Sequence, residues 1–156
     1  MLYIAIFPIN TEDFYEKELT EKREVYTTSK ENLQLFLNAD FKYLDGYMHV
    51  SEKLRASVQN IYNNEGFKNL CKNKKVSEVF DLDVVHIVSY REVMEMPEMK
   101  ERFERILLPN DYFVIFPFQR KFLGQLPPYM FFIYRKNNNG EWKAVKDITA
   151  IWDYSY

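Results

Sequence analysis

Histidine and cysteine are almost missing from this chain. Its 156 residues include two histidines, His49 and His86, and one cysteine, Cys71. A single cysteine excludes an intramolecular disulfide and fits synthesis in a reducing compartment, so a cytoplasmic location is expected. Metal centres draw on clusters of His and Cys. These three residues lie far apart and outside any ligand-spacing motif, so no metal and no other cofactor is expected. Glycine is scarce as well, with 4 residues, which argues against a barrel with many tight turns. Neither sign of charge dominates, since Lys+Arg number 21 and Asp+Glu 23. That balance makes a bulk nucleic-acid binder the less expected reading. No apolar run is long enough to span a bilayer, because Arg120-Lys121 interrupts the best candidate, so no membrane partner is expected. The opening MLYIAIFPIN lacks a basic leader and a small-residue cleavage site, and reads as a strand rather than a signal peptide.

Catalytic signatures are missing too. There is no glycine-rich phosphate loop, no serine in a sharp Gly-flanked turn, and no activating pattern beside Cys71. Cys71 shares a helical pattern with Phe67 and Leu70, which favours burial. Asp81 and Asp83 would share one face of a strand, a pattern that can hold a metal or divide acid and base roles. A solvated strand entry is the expected reading of them. His49-Val50-Ser51 is similar to the His-x-Ser/Thr motif of two-histidine phosphoesterases. The second motif would be His86-Ile87-Val88-Ser89, whose extra residue turns Ser89 to the opposite strand face. An enzymatic role is therefore the less expected one.

Aromatic residues are what the chain has in excess: 13 Phe, 12 Tyr and 2 Trp, or 17%. They are densest in Asp111 to Tyr134, DYFVIFPFQRKFLGQLPPYMFFIY. Tyr112–Phe116 and Tyr129–Tyr134 read as buried strands. Pro117, Pro127 and Pro128 mark where pairing between them stops. Asn137-Asn138-Asn139-Gly140 is a turn, and Trp142–Ile151 reads as a third strand of the same meander.

Upstream, Leu2–Ile9 reads as a strand, Thr11–Lys22 as a short helix using Phe14, Tyr15 and Leu19, and Glu24–Thr28 as another strand. Ser29 suits an N-cap, with Leu33, Phe36 and Leu37 on one helical face. Phe41–Val50 is strand-like, with Gly46 at a bulge. Ser51 caps the clearest helix, where Leu54, Val58, Ile61 and Tyr62 share a face and Gly66 can end it. A helical piece, Phe67–Lys72, follows. Val84–Tyr90 reads as a central strand. Pro97 opens a helix with Met99, Phe103, Ile106 and Leu107 on one face, stopping before Pro109. The expected fold is α+β: a single domain over residues 1–156, with a mixed sheet whose C-terminal three-stranded antiparallel meander packs against two or three amphipathic helices.

The function expected is that of a non-catalytic accessory protein, an inhibitor, immunity or host-interaction type, whose partner is another protein. The aromatic surplus is expected to lie partly on the surface, as binding faces do. The expected binding residues are Phe118, Arg120, Lys121, Phe122 and Tyr129. Pro117 ends the strand alternation, so Phe118 and Phe122 are free to stand beside the two cations as anchors. The alternative arrangement tucks Phe122 and Leu123 under the sheet. An RNA-binding module would use the same loop with Lys72, Lys74, Lys75, Arg135 and Lys136. A homodimer is compatible with this composition.

Leu107–Gly124 is similar to the strand-turn segment of the YhcH and evolved-β-galactosidase β-subunit family, and Phe41–Asp45 to a second block of it. The resemblance implies a cupin-like barrel that handles sugars, with a cavity drawing on Tyr43, Asp45, His49 and Lys121. Lys121 stands where that family has a histidine, and Asn38 and Asp40 stand where it has Glu and His. The resemblance therefore implies a small-molecule or sugar binder whose metal site is degenerate.

Overall fold

The computed structural model describes the backbone of residues 2–145 and the side chains of residues 15–145. Four strands form its sheet: β1 (His86–Ser89), β2 (Tyr112–Pro117), β3 (Tyr129–Lys136) and β4 (Trp142–Ala144). They lie in the order β1-β2-β3-β4, each pair antiparallel. The β2–β3 pairing runs from Tyr112 opposite Tyr134 to Pro117 opposite Tyr129. The meander read from the aromatic run is thus present. Its third strand was expected to reach Ile151, and residues 146–151 lie outside those described. Among the described residues, parallel pairing, expected from a mixed sheet, is confined to two isolated bridges, Tyr47 with Ala144 and Leu123 with Leu126.

Strand alternation divides the sheet's side chains between two cores. Tyr112, Val114 and Phe116 of β2 join Met130, Phe132 and Tyr134 of β3 on one face. Phe113 and Ile133, with the half-buried Ile115 and Phe131, occupy the other. Helices cover both. The long helix α1 (Leu2–Leu37) lies on the first face. The short helices α5 (Tyr90–Glu95) and α6 (Pro97–Phe103) bring Val93, Met94, Met99 and Phe103 onto the second. The architecture is α+β, as expected. Among the described residues β1 is an edge strand rather than a central one, with β2 as its one strand neighbour. It is apolar because Ile87 packs towards the first core and Val88 towards the second.

The N-terminal segment departs furthest from expectation. Leu2–Ile9, Thr11–Lys22 and Glu24–Thr28 are not strand, helix and strand but parts of the 36-residue α1. Helix propagation gains a hydrogen bond with each residue fixed, and here it overrides the strand preference of Val25, Thr27 and Thr28. Ser29 is no N-cap. It is fully buried mid-helix, and its Oγ donates to the Tyr26 carbonyl. Val25, Leu33, Phe36 and Leu37 are buried beside it. Phe41–Gly46 is a 3-10 helix rather than a strand, started by Asp40 Oδ1 accepting from the Lys42 N–H. Gly46 allows close approach instead of a bulge: a Cβ there would meet Asn32 Nδ2 of α1 at 2.7 Å.

The helix read most clearly from sequence is α2 (Glu52–Tyr62). Ser51 Oγ accepts from the Leu54 N–H, and Leu54, Val58, Ile61 and Tyr62 are all buried. It ends before Gly66, which falls inside α3 (Glu65–Leu70), itself capped by Asn64. A single turn, α4 (Val76–Val79), follows. Pro97 opens α6 as expected, but that helix stops at Phe103, leaving Leu107 buried and Ile106 exposed.

Most of the aromatic surplus is core, not surface. Phe36 packs against Tyr43, Tyr62 and Phe67 with ring centroids 5.1 to 5.8 Å apart. The buried phenols are hydrogen-bonded: Tyr62 donates to the Asp40 carbonyl, Tyr134 accepts from Asn32, and Tyr43 pairs with Tyr47. Burial raises the Tyr43 and Tyr134 phenols well above the ordinary tyrosine value. Among the described residues no helix is long and apolar enough to cross a membrane.

Candidate binding platform

The loop between β2 and β3 is held in place from several sides. Pro117 removes one donor but does not end the pairing. Its carbonyl accepts from the Asp81 N–H, and the next residue, Phe118, donates its N–H to the Pro128 carbonyl. The period of two therefore continues, and Phe118 follows Tyr112, Val114 and Phe116 into the first core. Its ring packs tilted against Phe80, with centroids 4.6 Å apart. Gln119 ties the loop to α4: its N–H donates to the Val79 carbonyl, and its Nε2 to the carbonyls of Ser77 and Phe80. A 3-10 helix, Arg120–Phe122, comes next. Gln125 and Leu126 both donate their N–H groups to the Phe122 carbonyl. Gly124 makes the turn at φ 84°, in the left-handed region that suits glycine.

Two of the expected binding residues lie elsewhere than anticipated. Phe118 and Phe122 do not stand in solvent; they are 7% and 6% exposed and anchor the loop from below. Both members of the expected cation pair face outward, since Arg120 and Lys121 are exposed. Lys121 Nζ lies 5.2 Å from the centre of the Phe122 ring. The Arg120 guanidinium has no ion-pair partner among the described residues. Tyr129, at the start of β3, is 36% exposed and neighbours Phe131 at 6.4 Å. The residue that the sequence reading missed is Leu123. It is 84% exposed, more than any other large hydrophobic side chain described. The 3-10 turn at Arg120–Phe122 and the left-handed Gly124 separate it from the buried Phe122.

The other chemical candidates are dispersed. His49 and His86 are exposed and Cys71 is buried. Burial pushes the Cys71 thiol up to about 12, with Lys74 pulling weakly the other way. Asp81 and Asp83 do not share a strand face; Asp81 Oδ1 instead caps Leu82–Val84 by accepting from the Asp83 N–H. Among the described residues, no three His, Cys, Asp or Glu side chains gather as they would around a metal. Tyr43 is buried and Asp45 lines an open cleft of about 860 Å3 between α1, the Phe41–Gly46 helix and β4; neither His49 nor Lys121 reaches that cleft. Among the described residues the sheet is an open row of four strands rather than a closed barrel. Of the further cations, Arg135 is forked onto Asp111, and Lys136 lies 3.5 Å from Glu21.

No known protein family, curated protein or solved structure matches the chain.

Proposed function

We propose that this protein acts by binding another protein, as an inhibitor, immunity or host-interaction protein does, and that the surface formed by Arg120, Lys121, Leu123 and Tyr129 makes the contact. One observation supports the reading above the rest: a leucine 84% exposed on a loop held from beneath by the buried Phe122 and by the backbone bonds of Phe122, Leu123, Gln125 and Leu126. Such exposure gains nothing for folding. Burying that side chain against a partner would contribute about 1.5–3 kcal/mol. Because the loop is already ordered, little of that gain is lost to fixing it. The adjacent guanidinium and ammonium favour a partner that brings carboxylates around an apolar pocket. Phe118 and Phe122 serve this surface from beneath as buried supports rather than as direct anchors. We place the protein in the cytoplasm, where a buried reduced thiol such as Cys71 is at home.

The test is comparative capture from cells of the source. Tagged parent, the double variant Arg120→Glu with Lys121→Glu, and a control, Lys53→Glu with Arg55→Glu on α2, are compared by quantitative mass spectrometry. The reading expects a protein held by parent and control and depleted at least tenfold by the double variant. If every captured protein is held equally by all three folded forms, the platform is not the contact.

A further inference from the structure

A groove runs between α1 and the outer edge of β1. It measures about 500 Å3 and is lined by Lys22, Arg23, Tyr26, Thr27, Val85 and Ile87. Tyr26 and Thr27 also line an adjoining hollow of about 440 Å3 that includes Lys30, Glu31 and Lys75. The hydrogen-bond phase of β1 follows from the far end of β2. There the Phe118 N–H points to β3, and the Pro117 carbonyl points the other way, to Asp81. Antiparallel alternation then directs Phe113 and Ile115 towards β1, where they face Val88 and His86. Ile87, opposite Val114, must direct its own N–H and C=O away from β2. Ser89 is in the same phase, and its N–H is indeed taken by the Glu92 carboxylate rather than by β2. No described backbone group bonds to Ile87 on that outer side.

An unpaired donor and acceptor on extended backbone, beside a groove with apolar walls, form a template for an added strand. The charges around the groove select its occupant. Lys22 is neutralised by Glu92. Arg23 and Lys75 have no ion-pair partner among the described residues, and Lys30 lies 5.6 Å over the Tyr26 ring with none either. Glu31 is the one carboxylate lining the two hollows. Pairing β1 with β1 of a second copy would bring a second set of these cations into the same groove, which repels. We propose that the outer edge of β1 is a docking site for an extended segment of another protein, carrying acidic side chains on alternate residues, which adds to the sheet as a fifth strand. Its acidic residues meet Arg23 and Lys30, and its backbone pairs with Ile87. This surface is separate from the platform and does not depend on it.

The probe is a capped nine-residue peptide alternating Glu and Val, with a Lys and Val counterpart, titrated into the 15N-labelled protein. The acidic peptide is expected to shift the amides of Val85 to Ile87 and to slow exchange of the Ile87 N–H, while the basic one does neither. Arg23→Glu with Lys30→Glu, both exposed, should raise the Kd at least tenfold. Ile87→Pro, which deletes the outward donor along with the isoleucine side chain, should do the same where its spectrum shows it folded. The platform variant Arg120→Glu with Lys121→Glu should bind with the parent's Kd, so failure here and failure of the platform reading are distinguishable. Binding unaffected by the Arg23 and Lys30 reversals, equal binding of the basic peptide, no response at Val85 to Ile87, loss of binding in the platform variant, or a dimer formed through β1 would each overturn the proposal.

Discussion

Phe122 and Leu123 are adjacent in the chain and lie on opposite sides of the protein surface, 6% and 84% exposed. The 3-10 turn at Arg120–Phe122 and the left-handed Gly124 separate them. Their substitutions should therefore diverge. Phe122→Ala removes a core ring and should destabilise by about 3–5 kcal/mol. Leu123→Asp should change stability by no more than about 0.5 kcal/mol. Urea unfolding of both variants measures this. Similar losses would mean that the leucine belongs to the core.

Asp111 and Arg135 make a second pair that can be tested. Arg135 Nε and Nη2 donate to the two Asp111 carboxylate oxygens at 2.8 and 2.7 Å, and the Leu108 N–H donates to the same carboxylate. The aspartate is 1% exposed. Asp111→Ala leaves the Leu108 amide without its acceptor and the part-exposed Arg135 without its carboxylate, and should cost about 1–3 kcal/mol. Arg135→Lys keeps the charge and loses the fork, so it should cost less. Equal costs in thermal or urea unfolding would contradict this account.

Cys71 should be unreactive in the folded protein. It is fully buried, and burial raises its thiol to about 12, so almost no thiolate exists at neutral pH. Alkylation by iodoacetamide at pH 8, followed by mass spectrometry, should proceed only as fast as the protein opens. Labelling as fast as that of a free peptide would show the site to be accessible.

Acid should weaken the hold of α1 on the sheet. Burial raises the Glu92 carboxyl, but the Lys22 ammonium and the Ser89 amide and hydroxyl outweigh it and hold the group below its ordinary value. A carboxyl lowered in the folded state stabilises fully above its unfolded value of about 4.3 and loses that contribution as pH falls through the lower folded value. Glu92→Gln should flatten the dependence of stability on pH below about 4.3. An unchanged slope would remove Glu92 from the linkage.

The elements legible in the sequence were those whose burial is mainly apolar and free of charge. Leu54, Val58, Ile61 and Tyr62 mark α2 at helical spacing, with the small Ser57 the one polar residue buried among them, and Ser51 announces it. The β2 and β3 runs declare themselves by β-branched and aromatic residues. The α1 seam was hidden for the opposite reason. Its buried positions include Glu18 and Ser29, which read as solvent-facing until their partners are known. Glu18 meets Arg91, 73 residues away in sequence, and Lys22 meets Glu92, so only the tertiary structure reveals them as interior. On the platform, Arg120 and Lys121 were legible as outward cations. The inward turn of Phe118 was not, because its cause is the Asp81 amide donating to Pro117 from a distant segment. Charge and aromatic content located the loop, but the hydrogen-bond phase decided which of its side chains faces water.

The central claim is that the loop after β2 touches another protein. A photo-crosslinking amino acid in place of Leu123 tests it most directly, with the same group at Leu108 as the control, since that side chain is 51% exposed and lies outside the platform. In irradiated cells of the source, the account predicts a discrete heavier adduct from position 123, none from position 108, and its disappearance when Arg120→Glu and Lys121→Glu are added. Absence of any adduct at 123, or the same adduct from both positions, would contradict it.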